Sequence, residues 1–238
     1  WESVVLPGDS RDYIPPTFQP KLHRTQLALN STAWNTGISV FGYGYVDAAT
    51  IIESPMSIYI RHLFYIPDAS AIHSVILDLD YYDGFVAFVN GQEVARNLMT
   101  GAVPDYNQPS DGWREPNLPR GLLPERFAVD PILLNNGYNV IAVQVHNFTL
   151  DSSDLSALPV LSLGINNVSN DYRTPPSWFV EPSVPVEVDF ESSNLPIVII
   201  ETVQGQEIPN DPKIDATMQI IFKGDGERNF LSDVNDPT

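Results

Sequence analysis

An all-β, antiparallel sandwich is the fold this sequence predicts, and three features predict it. Apolar residues recur with a period of two in several segments, clusters of turn residues separate those segments, and no stretch keeps a 3.6-residue period over three helical turns. The chain's 21 prolines and 14 glycines among 238 residues reinforce that spacing, because proline continues neither a helix nor a central strand ladder. At 43% apolar and 11% aromatic residues the chain can bury a core. Its length allows one domain of ordinary size and a second, smaller piece.

Residues 1–32 show no period and are expected to form an irregular lead-in, with the sandwich occupying 33–173. Tyr59 to Tyr65 alternates as a half-buried strand does. In Ile76-Leu77-Asp78-Leu79-Asp80 the leucines share one face and the aspartates the other. Phe85 to Val89 then meets Asn90-Gly91, whose tolerance of positive φ marks a type I′ turn into Gln92-Glu93-Val94. Asn97 to Arg126 is a long loop, and loops of that length usually carry function or wrap the domain. Asn139 to His146 places Ile141, Val143 and Val145 on one face, and Val140, Ala142, Gln144 and His146 on the other. Pro159 to Leu163 reads as a similar strand.

Residues 174–189, with Pro175, Pro176, Pro182 and Pro185, have the extended character of a semi-rigid linker. Beyond it, 190–238 is expected to start a second β module. Leu195 to Thr202 reads as a buried strand, Gln204-Gly205-Gln206 as a turn, and Ile214 to Ile220 as a second strand ending at Lys223-Gly224-Asp225-Gly226.

Thirty acids against 12 bases give a net charge of −18. That balance argues against a nucleic-acid partner, since binding phosphates requires concentrated Lys and Arg. No apolar run is long enough for membrane insertion by a helix. The absence of cysteine excludes disulfides, Cys-ligated metals and a cysteine nucleophile. The acids are uneven: residues 1–173 hold 18 acids and 9 bases, residues 174–238 hold 12 and 3, so each part carries −9.

Four stretches occur in a telling order: Trp34 with Gly42-Tyr43-Gly44, then Tyr59 to Phe64, then Asp83-Gly84 with Val89 to Asn97, then Asn139 to His146 with Ser152 to Leu155. Together they resemble the galactose-binding-like jelly-roll module of secreted bacterial surface proteins of the Bacteroidetes type. Residues 190–238 resemble the opening of a CotH (spore-coat-protein-H-like kinase) region, through Phe190 to Ile200, Ile208-Pro209 and Lys213-Ile214. The resemblance implies an extracellular or outer-surface location and cargo of a bacterial outer-membrane secretion machinery. It also implies that the charged motifs of a kinase core would lie beyond Thr238.

Aromatic rings in the long loop suggest glycan recognition, because sugars present apolar C–H faces that stack on Trp and Tyr. Tyr106, Trp113, Arg114 and Asp111, with Tyr82, are the candidate residues; the same rings would serve equally to plug the sandwich edge. Asp78, Asp80 and Asp83 are candidate calcium ligands, since hard cations take clustered carboxylates. The alternative puts Asp78 and Asp80 on a solvated face and gives Asp83 a turn to hold through its own backbone. Calcium is thus an optional cofactor and none is required. An EF-hand from Asp78 fails, with Asp83 where glycine is needed and Val89 at the last ligand position. His146 near Asp154 is expected to be a hydrogen-bonded structural histidine, and Arg61 and Arg96 to pair with Asp78, Asp80 or Glu93 across strands. The expected function is non-catalytic recognition of a glycan or cell-surface component, or docking of attached modules. Two alternatives stand beside it: the N-terminal portion of a CotH-like phosphotransferase lacking its catalytic core, and a structural surface spacer.

Overall fold

A computed structural model describes residues 1–20, 22–45, 47–53, 55–166, 171–182, 191–202, 213–224 and 226–235. The chain divides into two compact units, residues 1–181 and 182–238. In the first, the strands are β1 (Glu2–Val5), β2 (Ser10–Ile14), β3 (Asn35–Ile38), β4 (Phe41–Tyr43), β5 (Thr50–Ile51), β6 (Ser57–Ile66), β7 (Ile72–Tyr81), β8 (Gly84–Val89), β9 (Gln92–Asn97), β10 (Glu125–Val129), β11 (Gly137–His146) and β12 (Leu155–Ile165). In the second they are β13 (Ser192–Ser193), β14 (Ile197–Thr202), β15 (Ala216–Ile221) and β16 (Asn229–Phe230).

The first unit is a β-sandwich. One sheet runs β10-β7-β12-β4-β5 with β1 also paired to β12, and the other runs β3-β2-β6-β11-β8-β9. Pairing is antiparallel except between β4 and β5. The alternation along each strand decides what the sheets enclose. Val75, Leu77, Leu79 and Tyr81 of β7 pack with Phe85, Ala87 and Val89 of β8 and Ile141, Val143 and Val145 of β11. Each of the larger aliphatic and phenyl side chains contributes on the order of 1.5–3 kcal/mol of burial. The β8–β9 hairpin turns on Asn90 (φ 50°) and Gly91 (φ 86°), as the Asn-Gly pair requires. Asn90 also stitches the hairpin to β11: its Oδ1 accepts from Val140 N at 3.0 Å and its Nδ2 donates to Asn139 Oδ1 at 2.7 Å.

Pro159 sits within β12 without breaking it. One side of β12 pairs with β7 from Ala157 to Ile165, while the other passes from β4, over Leu155–Ala157, to β1, over Leu161–Leu163. Pro159 falls in that gap, where no ladder N–H is needed. Arg11 Nη2 fills the gap, donating to Pro159 O at 3.0 Å and Leu6 O at 2.8 Å. Burial lowers the guanidinium's pKa to about 10.

Three expectations are corrected here. The lead-in is not irregular throughout: it supplies β1 to one sheet and β2 to the other, and strands of four or five residues are too short to display a period. The long loop yields its end to β10, which pairs with β7. In the second unit, β14 is not a buried strand. Among the described residues it pairs with β15 alone, matching Val198 with Ile220 and Ile200 with Met218, and all four are exposed, because a two-stranded ribbon leaves one face bare. Pro185, Phe190, Gln204-Gly205-Gln206, Ile208-Pro209 and Asp225 lie outside the described residues. Among the described residues no helix is long and apolar enough to cross a membrane.

Candidate functional site

One end of the sandwich gathers the turn from β7 to β8, the end of β9 and the end of β11. Asp83, at φ 57°, is the hub of this end. Its N–H donates to Arg114 O at 3.0 Å, and its carboxylate accepts from Arg114 N at 3.0 Å and Phe148 N at 2.7 Å. Leu98, also at positive φ, accepts from Asp111 N at 2.8 Å, and Asn147 O accepts from Ser110 N at 2.9 Å. Ser110 Oγ donates to Gly112 O at 2.7 Å. Residues 110–114 are therefore pinned on both flanks, and Trp113 projects from between the pins, 70% exposed.

The other expected glycan contacts divide. Asp111 shares the exposed turn and accepts from Thr100 Oγ1 at 3.1 Å. Tyr106 is half-buried and ties its backbone to Gln19 Oε1 and Ser57 Oγ, both at 2.6 Å. Arg114 turns inward, its guanidinium 4.1 Å over the Tyr81 ring and donating to Tyr81 O at 3.0 Å, so it anchors the loop. Tyr82 is buried in a second apolar cluster with Tyr45, Leu158 and Val160, on the outer face of β7 and β12. Burial, then the neighbouring Asp154 and Glu115 charges, push its hydroxyl up.

The three aspartates are engaged separately. Arg126 grips Asp78 by a fork, Nε to Oδ1 at 2.7 Å and Nη2 to Oδ2 at 3.0 Å. Asp80 accepts from Asn117 N at 2.6 Å and Leu118 N at 3.1 Å. Burial raises the pKa of both Asp80 and Asp83 against these stabilising hydrogen bonds. The solvated face expected for Asp78 and Asp80 is not found: both are buried, because the segment from Arg114 to Arg126 lies over them. Asp83 holds its turn through Arg114 and Phe148 rather than through its own backbone. Among the described residues no group of three or more His, Asp or Glu side chains is placed to hold a metal ion.

The polar face of β11 is likewise covered. Gln144 accepts from Arg24 Nη2 at 3.0 Å and donates to Tyr59 Oη at 2.7 Å and His146 Nε2 at 2.6 Å. Arg61 does not take Asp78, Asp80 or Glu93 as expected; it lies across from Asp12 of β2 and donates to Gln26 O at 2.9 Å and Leu27 O at 3.1 Å, holding the segment after β2. Arg96 does take Glu93, at 2.5 and 2.6 Å, but along β9 and not across strands.

His146 is the structural histidine the sequence suggests. Its Nε2 accepts from Gln144, so its Nδ1–H donates to Gln108 O at 2.7 Å. Burial holds its pKa down, to about 4 from 6.5. The unfolded chain takes up this proton near pH 6.5, and the folded chain refuses it until about pH 4. The stability is fully present above pH 6.5 and drains as pH falls, by about 2 kcal/mol between about pH 7 and pH 5. The urea stability of the wild type minus that of His146→Gln should shrink by that amount over the interval, and a constant difference would refute it. His62, also held down by burial and by Arg11, is common to both chains and cancels.

A feature not anticipated from sequence lies beside this network. The segment after β2 and the one before β3 enclose a cleft of about 430 Å³, lined by Pro15, Pro16, Phe18, Pro20 and Trp34 among others. The sequence signals available for it are Pro15-Pro16 within the lead-in and Trp34 just beyond it.

No family model matches the chain, and no curated protein matches it. Among solved structures it is similar to β-glucuronidase 2 of Bacteroides uniformis bound to cyclophellitol-6-carboxylate aziridine, at 13% identity and a TM-score of 0.44, over 93% of this chain and 26% of that one. It is similar to a β-glucuronidase of Bifidobacterium dentium at 13% identity and a TM-score of 0.40, over 61% of this chain and 20% of that one. For a β-glycosidase from Bacteroides vulgatus the values are 14% and 0.37, over 92% and 28%. The chain thus spans well under half the length of each.

Proposed function

We propose that residues 1–181 are a non-catalytic carbohydrate-recognition module, with Trp113 as its stacking platform. The observation that carries this reading is a 70% exposed Trp on a turn immobilised by Asp83, Leu98 and Asn147. A large aromatic held open at the cost of exposing its apolar surface is what a sugar's C–H face requires, and pinning lowers the ordering cost of binding. Asp111 on the same turn offers an acceptor to hydroxyl groups. Arg114, Asp80 and Asp83 are spent on holding the loop, which supports recognition rather than chemistry. The partner is a glycan of a cell surface or the extracellular medium, and the location is the exterior of a bacterium.

The test is a glycan array probed with the full chain and with Trp113→Ala. The wild type should retain at least one glycan, and the variant should bind it about tenfold or more weakly, the effect of truncating a central aromatic anchor. Retention of no glycan, or equal retention by both proteins, would sink the reading.

A further inference from the structure

We propose that the proline-walled cleft of about 430 Å³ is a second saccharide subsite, selective for a sugar ring bearing an apolar substituent, such as a 6-deoxyhexose or an O-acetylated sugar. This rests on the reading of the unit as a carbohydrate module, but uses residues remote in sequence from Trp113. The volume lies within the range of roughly 300–1,000 Å³ typical of small-ligand sites. Two aromatic rings from different segments reach it: Phe18, 68% exposed, and Trp34, half-buried. Pro15, Pro16 and Pro20 fix φ along one wall, so the cleft is preformed and little order is lost on binding.

The selectivity follows from the described lining, whose polar side-chain groups are those of Thr17, Arg24 and Asn30 and the indole N–H of Trp34. Arg24 is committed to the floor, donating to Gln144 Oε1 at 3.0 Å and Pro20 O at 3.3 Å, with its guanidinium 4.8 Å over the Tyr59 ring. Asn30 Oδ1 accepts from Thr32 N at 3.0 Å, which leaves its Nδ2 to donate to a ligand oxygen. A fully hydroxylated ring would bury hydroxyls against proline, Ile14 and Leu29, each unpaired one losing roughly tenfold in affinity. A methyl or acetyl group in that position meets the apolar wall instead.

Calorimetric titration of the full chain uses two matched pairs of probes: methyl α-L-rhamnopyranoside against methyl α-L-mannopyranoside, and methyl 6-O-acetyl-α-D-mannopyranoside against methyl α-D-mannopyranoside. The apolar member of at least one pair should bind about tenfold more tightly. Phe18→Ala, at an exposed position and so without effect on the melting temperature, should lower that affinity roughly tenfold. Trp113→Ala should leave it unchanged. No preference in either pair, no binding of any probe at millimolar concentration, or indifference to Phe18→Ala would each overturn the proposal. The two readings fail separately: array binding lost with Trp113→Ala, together with no preference in either probe pair, keeps the first and removes the second.

Discussion

Asp83→Ala is expected to cost about 2–4 kcal/mol of stability and to abolish binding through Trp113. The carboxylate is the acceptor for two backbone N–H groups, those of Arg114 and Phe148, and leaving each without a partner at this part-buried end costs roughly 1–2 kcal/mol, the lower part of the range for such groups. The backbone adds to this, because Asp83 holds φ 57°, which aspartate and asparagine tolerate better than alanine. Asp83→Asn keeps the tolerance and an acceptor oxygen, so it should fall between wild type and Asp83→Ala. Urea unfolding and glycan retention are the measurements. If Asp83→Ala unfolds at the wild-type midpoint, the carboxylate is not the hub of this end of the sandwich.

Arg126→Ala should be worse, losing about 3–5 kcal/mol, because it strands a carboxylate that is only 2% exposed. Arg126 also donates to Val180 O at 2.6 Å and lies 4.8 Å over the Phe179 ring, so its loss frees the segment after β12 as well. Replacing both partners, as in Asp78→Leu with Arg126→Met, should recover much of the loss, since the desolvation cost of two charges goes with them. A double-mutant cycle by denaturant unfolding checks this. Simple additivity of the two single losses would mean that the fork contributes nothing as a pair.

The strands that were legible in the sequence are those in which a local pattern and a local turn agree. The alternation of Ile76 to Asp80 and of Asn139 to His146 places the right side chains in the core, and Asn90-Gly91 forms the hairpin its chemistry demands. Trp113 was legible as a loop aromatic, and it is exposed. Tyr82 was not legible as a buried residue. Nothing beside it in sequence foretells Leu158, Val160 and Tyr45, which cover it. The same limit hid the cleft, whose walls come from residues before and after a turn with no periodic signal.

The outer faces of the sheets show the division most clearly. Sequence by itself determined which residues of β7 and β11 face opposite ways, because a strand's side chains alternate by covalent geometry alone. It also determined that Asp78, Asp80, Gln144 and His146 share the faces turned away from the core. Whether those faces meet water was decided only by tertiary structure. Arg126 and Asn117 arrive over Asp78 and Asp80, and Arg24 and Gln108 over Gln144 and His146. A polar residue on a strand satisfies its hydrogen bonds equally well with solvent or with a distant segment. Only the folded chain, by bringing that segment there, makes the choice.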